Sequence, residues 1–197
     1  MKRVLFVDHV DRILGGAEIN LIELVNTAST RWQVACACPA ESRLGEAVRR
    51  LGVPQHEHRL DPDASQVRFM GRNFSLSKSV RSWQAVRAAS APLRNVISEF
   101  KPNAVISCTN RDHFCAAAAC RPLRVPSIWW VNDIISSDFF SWPVRATFVR
   151  KARATAKRLV AVSEFARQHP SDLCTRTFPT RSLTLLVCAV IRPHRSC

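Results

Sequence analysis

Apolar residues fall along this chain in two alternating kinds of run. The first kind is short and continuous: Arg3 to Asp8 (RVLFVD), Trp32 to Cys38 (WQVACAC), Val53 to His58, Asn103 to Cys108 (NAVISC), Pro126 to Val131 (PSIWWV) and Arg158 to Val162 (RLVAV). Most are rich in apolar and β-branched residues, and each has the length of a strand. The second kind repeats at helical spacing. Ala17, Leu21, Leu24, Val25 and Ala28 form one stripe, with Glu18, Asn20, Glu23 and Asn26 between them. Leu44, Ala47, Val48 and Leu51 form another, which Gly52 stops. A long helical region is predicted from about Ser79 to Lys101, and Pro92 inside it is expected to kink or split it. His113 to Cys120 reads as a short helix made mostly of alanine, and a basic helix follows Pro143. Leu60 to Ser77 is polar and turn-rich and reads as a loop.

Strands alternating with helices, several of them apolar throughout, predict a parallel sheet buried on both faces. Right-handed crossovers then make an α/β fold: a single Rossmann-like, doubly wound parallel sheet followed by an irregular C-terminal tail. The ligand crevice of such a sheet lies beyond the carboxyl ends of its strands. The residues that follow each strand are therefore the ones to weigh. After the first come Leu14-Gly15-Gly16-Ala17-Glu18, where two glycines permit a tight turn and the helix behind them offers unpaired amides. This is not the GxGxxG dinucleotide fingerprint, which argues against a NAD enzyme. After the fourth come Thr109, Asn110 and Arg111; after the fifth, Asn132 and Asp133; after the sixth, Ser163 and Glu164. Taken singly, each polar residue here is an ordinary helix cap. Converging on one rim, they make a site for a polyol or another polar ligand.

Charge narrows the choice of partners. Lys and Arg number 29 against 15 Asp and Glu, a formal net charge of +14, which suits nucleic acid, an anionic membrane surface or a phosphorylated substrate. Nucleic acid is the weakest of these: the basic residues are spread along the chain, and no zinc finger, RRM signature or helix-turn-helix is present. From Arg145 to Arg158 there are no acids. Arg150, Lys151 and Arg153 stand there beside Phe139, Phe140, Trp142 and Phe148, a pattern that suits anionic lipid headgroups and equally suits a helix with its apolar side on the sheet. No GxSxG hydrolase motif occurs. No targeting segment or membrane-length apolar run is found, so a cytoplasmic protein, peripheral to the membrane at most, is expected. The eight cysteines then read as buried thiols. His56 and His58 share a strand-like stretch with Glu57, Asp61 and Asp63, but their spacing is too loose for a metal site, and no metal is expected.

Three pieces, in order and spacing, carry a family resemblance: Gly15-Gly16-Ala17-Glu18, the strand entry Lys101-Pro102-Asn103-Ala104-Val105-Ile106, and Val160-Ala161-Val162-Ser163-Glu164 before a helix. The segment Trp129-Trp130-Val131-Asn132-Asp133 adds a fourth. Over about residues 1–168 the chain resembles the N-terminal domain of a family 4 glycosyltransferase of the GT-B type. The resemblance implies two Rossmann-like domains facing across a cleft, the first holding the acceptor and the second a nucleotide-sugar donor, with no metal and no further cofactor in this chain. It implies that Gly15, Gly16 and Glu18 face the donor and its diphosphate. Asn110, Asn132, Asp133, Ser163 and Glu164 would line the side of a sugar or lipid-linked acceptor. Many members carry a His where this chain has Asn132, which leaves proton handling unassigned. Residues 169–197 lose the family's pattern and lack Gly, and they read as a frameshifted, truncated or disordered ending before the donor domain. A chain of this kind is expected to bind an acceptor and to be inactive on its own. The alternative is a non-catalytic α/β module that uses the same crevice for an anionic metabolite or partner.

Overall fold

A computed structural model of the chain describes residues 1–12, 15–61, 76–132, 142–161 and 185–187. Seven strands form one sheet: β1 (Arg3–Val7), β2 (Gln33–Cys38), β3 (Gln55–Glu57), β4 (Ala104–Ser107), β5 (Ser127–Val131), β6 (Ala156–Ala161) and β7 (Leu185–Val187). The helices among the described residues are α1 (Gly16–Ser29), α2 (Arg43–Arg50), α3 (Leu76–Phe100), α4 (Asn110–Leu123) and α5 (Trp142–Thr155). The order across the sheet is β3-β2-β1-β4-β5-β6-β7, and every pairing is parallel. This is the doubly wound topology the run pattern predicts, with its reversal of direction between β1 and β4.

The continuous apolar runs have their explanation in the two faces. Along β1, Val4 and Phe6 pack with Leu21 and Val25 of α1 and Leu44 and Val48 of α2. Leu5 and Val7, alternating with them, pack with Val86, Leu93 and Ile97 of α3 and Cys115, Ala116 and Ala119 of α4. A central strand has no solvent side, so it cannot alternate apolar with polar. The alanines of α4 let that helix lie close to the sheet. A third cluster joins Trp129 and Val131 of β5 to Phe148, Val149 and Ala152 of α5 and Leu159 of β6. The apolar side of the basic helix therefore lies on the sheet, while Trp142 at its start is 66% exposed.

Two local expectations change. Pro92 does not split α3, which runs unbroken through it from Leu76 to Phe100. Within the segment read as an irregular tail, Leu185–Val187 pairs with Leu159–Ala161 as a further parallel strand. The cysteines behave as read: Cys36, Cys38, Cys108, Cys115 and Cys120 are buried free thiols. No described helix is long and apolar enough to cross a membrane.

Gly45 is the tightest backbone approach in the sheet's second layer. Ser42 caps α2 by accepting the Gly45 amide at 2.9 Å. A Cβ at position 45 would meet the carbonyl oxygens of Pro39 and Ala40 at 2.6 and 2.8 Å. Helix propensity alone favours Ala over Gly by about 1 kcal/mol. The clash involves backbone that cannot swing aside, so Gly45→Ala is expected to lower stability in urea unfolding by roughly 1–3 kcal/mol, the opposite sign to propensity.

Candidate functional site

Hydrogen bonding of the sheet ladder continues one residue past the strands and places three chain ends side by side. Asp8 N–H donates to Ala37 O at 3.0 Å, Cys108 N–H to Val7 O at 3.1 Å, and His58 N–H to Cys38 O at 3.2 Å. The carboxyl ends of β1, β3 and β4 thus meet at one rim, beside the start of α4.

Asp112 is the hub of that rim. It lies in the first turn of α4, where the helix dipole favours a negative charge, and it is fully buried. Thr109, the N-cap, accepts the Asp112 amide at 3.3 Å and donates its hydroxyl to Oδ2 at 2.7 Å. The same Oδ2 takes the backbone N–H of His9 at 3.0 Å and lies 2.8 Å from His9 Nδ1. Oδ1 lies 2.9 Å from His58 Nε2. Burial alone would raise this carboxyl, but the two imidazoles outweigh it and hold Asp112 well below the usual carboxylate range. Burial also opposes a charge on His9, and the adjacent Asp112 overcomes it, so the His9 imidazole is raised above its ordinary value. Its side chain remains 12% exposed, while that of Asp112 is closed off.

Asp8 completes the group. It is 3% exposed, and its Oδ1 accepts the Val10 N–H at 2.9 Å. Burial first, and then the charge of Asp112, push its carboxyl up to about 7. One carboxylate is thus held ionised and its neighbour is pushed toward the neutral form, the separation that marks sites of acid–base chemistry.

Asp8, His9 and Asp112 offer three ligand atoms within 4.8 Å of one another, which makes them the metal-capable group among the described residues. The 2.8 Å between His9 Nδ1 and Asp112 Oδ2 is hydrogen-bond contact. Two ligands of one tetrahedral ion sit roughly 3.3 Å apart, given metal–ligand bonds near 2.0 Å. The arrangement fits a proton-sharing network better than a chelate.

The strand-end residues named from the sequence take distinct places. Gly15 and Gly16 face open space, with nothing within 4 Å of where a Cβ would stand. The carboxylate of Glu18 folds back to accept the Gly15 N–H at 2.9 Å, a cap that fixes the loop. Asn110 is half-buried in the first turn of α4. Asn132 ties two strands together: its Nδ2 donates to Cys108 O and its Oδ1 accepts from Trp130 Nε1, both at 2.9 Å. Asp133, Ser163 and Glu164 lie outside the described residues. On α5, Arg150 is exposed and Lys151 Nζ stands 5.4 Å from the ring centroid of Trp83.

His58, which reads from sequence as a solvated residue sharing one face with His56, is instead 3% exposed and turned inward to Asp112. His56 lies apart, its ring 6.1 Å from that of Phe100. His113, next to Asp112 in sequence, points into the core. Its ring stacks on Trp129 at 4.9 Å, its Nδ1 lies 2.7 Å from Ser107 Oγ, and burial drives it down to about 3, so it stays neutral. The residues that sequence reasoning passed over are Asp8, His9, His58 and Asp112. For Asp8 and His9 the signal was present, since both directly follow the first strand.

Residues 14–173 match the sequence pattern of Glycosyltransferase Family 4. The chain belongs to that family. No curated protein matches it. Among solved structures, this family 4 chain is similar to HepE from Anabaena, in complex with UDP, at 19% identity and a TM-score of 0.68 over 95% of this chain and 43% of that one. It is similar to MurG from Acinetobacter baumannii at 15% identity and a TM-score of 0.58, over 95% of this chain and 45% of that one. It is also similar to a UDP-GlcNAc 2-epimerase from Neisseria meningitidis bound to UDP-GlcNAc, at 16% identity and a TM-score of 0.60 over 94% of this chain and 45% of that one. These likenesses show the fold. The chain spans less than half the length of each of the three solved chains.

The raised Asp8 carboxyl carries a sign. An acid whose folded value exceeds its unfolded value is destabilising once it ionises, and the cost grows from the unfolded value near 4 up to the folded value. With the folded value at about 7, Asp8→Asn is expected to change stability little at pH 4. At pH 8 it is expected to raise it by about 1–4 kcal/mol. Urea unfolding of both proteins at the two pH values measures the difference.

Proposed function

We propose that this chain is the acceptor-side half of a glycosyltransferase, binding a sugar or lipid-linked saccharide along the carboxyl rim of its sheet for transfer from a nucleotide sugar. The family match over residues 14–173, most of the chain, carries this reading. The rim supports it. Gly15 and Gly16 leave open space at the start of α1, where first-turn amides and the dipole favour a diphosphate. Glu18 holds that loop, which would face the donor. Asn110, Asn132, Asp133, Ser163 and Glu164 would line the acceptor side. The donor's nucleotide would be held by a second domain of the whole enzyme, as the resemblance implies; no further cofactor enters the proposal. The 197 residues alone are then expected to bind without transferring.

Titration calorimetry with a polyprenyl-phosphate sugar tests this. Saturable binding is expected, weakened at least tenfold by Gly16→Leu, which fills the open space beside the loop. Binding of inorganic phosphate or a nucleotide with no preference for the saccharide would instead mark a module for anionic metabolites, and robust sugar transfer by the isolated chain would contradict the half-enzyme reading.

The proposed cytoplasmic, membrane-peripheral setting rests on α5. Its apolar side is taken up by Trp129 and Leu159, so its contribution at a membrane is charge together with the exposed Trp142. Electrostatic attachment of this kind is screened by salt. The chain is expected to float with anionic liposomes at low salt and to be released at high salt, and neutralising Arg150, Lys151 and Arg153 together should abolish flotation. Equal flotation with neutral lipid would rule out the electrostatic attachment.

A further inference from the structure

The Asn132 position leaves this crevice without the imidazole that the family resemblance leads one to look for there. An imidazole stands at another strand end. His9 follows β1, two residues beyond its end, on the same loop that leads to Gly15 and Gly16. Its Nδ1 is engaged by Asp112 Oδ2 at 2.8 Å and lies 3.1 Å from Thr109 Oγ1, which leaves Nε2 as the nitrogen available to the crevice. Ring and carboxylate are both held. The His9 amide donates to the same Oδ2, and His58 closes on Oδ1 from behind at 2.9 Å.

A carboxylate that accepts Nδ1–H does three things to an imidazole: it fixes the ring plane, it fixes the tautomer with the lone pair on Nε2, and it stabilises the cation formed when Nε2 takes a proton. Asp112 can do this because it is ionised at the start of a helix and shielded from water. The charged and titratable groups around His9 are Asp8 on its own strand, with Glu18 beyond it, and Arg111 and Asp112 on α4. Asp8 and Asp112 favour the imidazolium and Arg111 opposes it.

We propose that His9 is the proton acceptor of this crevice, its Nε2 taking the proton of the acceptor hydroxyl while Asp112, acting through Nδ1, positions the ring. The role rests on the acceptor-side reading above. In the step, the hydroxyl oxygen forms its bond to the anomeric carbon of a nucleoside-diphosphate sugar as its proton passes to Nε2. The bond from that carbon to the diphosphate breaks, and its electron pair leaves on the diphosphate. His9 is the catalytic residue; Asp112, Thr109 and His58 are positioning residues.

The 197-residue chain suffices for the test, because the imidazole can be read directly. Nitrogen-15 NMR of labelled histidine should find neutral His9 with its proton on Nδ1. Diethyl pyrocarbonate, which attacks the unprotonated nitrogen, should modify His9 and spare the enclosed His113, as mapped by peptide mass. The pH midpoint of that reaction should lie above the ordinary imidazole value. Asp112→Asn should lower it by roughly one pH unit, the scale of a carboxylate in contact, whereas Asn132→Ala should leave it unchanged. A saturating polyprenyl-phosphate sugar should slow modification of His9 at least fivefold and leave His56 unaffected. A proton on Nε2 in neutral His9, a midpoint that Asp112→Asn does not move, or no protection by a sugar that does bind would each overturn the assignment. The tautomer and midpoint measurements use no saccharide, so they fail only if the dyad is wrong; calorimetry without saccharide binding fails the acceptor reading and leaves the dyad standing.

Discussion

Everything at the rim depends on β1 being held from both sides. Val7 is paired with Ala37 of β2 and with Ser107 of β4, and both faces of the strand are covered by helices. A parallel strand so enclosed has no freedom of register, because a slip by one residue would exchange the side chains of its two faces. The position of the next residues is therefore fixed to within the ladder's own tolerance. Asp8 and His9 arrive at the switch between β2 and β4 by construction, and the start of α4 arrives there with them. A group on a flexible loop would have to be ordered by its ligand, at a cost in conformational entropy. Here that ordering comes with folding.

The sheet brings together residues that are far apart in sequence, and this sets what could be read in advance. The strands, the parallel topology and the rim as the ligand edge follow from local pattern: runs that are apolar throughout, stripes at helical spacing, glycines at turns. Gly15, Gly16, Asn110 and Asn132 are found at the rim for that reason. The Asp112 network is different. Its partners sit at positions 9, 58, 109 and 112, and no periodicity relates them. Asp112 in sequence is an acidic residue in the first turn of a helix, which dipole and capping explain without further function. His58 looks like an edge-strand residue, since nothing local announces that the chain after β3 turns it inward. Pro92 shows the same limit from another side: propensity predicts a break, and packing of Leu93 and Ile97 on the sheet keeps the helix whole.

The placement of Asn132 illustrates how one position can serve the scaffold in place of the chemistry. Its amide joins the end of β4 to the indole of Trp130, so its oxygen and one N–H are committed to holding two strand ends together. An amide does this well and cannot carry a proton at neutral pH. If the crevice needs a proton acceptor, the group must come from another strand end. The described rim offers one imidazole with a nitrogen toward the crevice and a buried carboxylate behind it.

That pairing also explains why two carboxylates are tolerated in a buried place. Asp112 has both oxygens occupied by donors, so it remains ionised despite burial. Asp8 has no such set, and with Asp112 beside it, it is raised to about 7. An apolar or amide residue at position 8 would serve the fold better at neutral pH. A carboxyl poised near neutrality, 97% enclosed and adjacent to an imidazole at a ligand rim, is a feature that stability alone does not select. Proton traffic at the crevice gives it a purpose: when His9 becomes an imidazolium, ionised Asp8 and Asp112 are both within reach to favour the new charge, and the cost of holding them falls in the state where the chemistry needs it to fall.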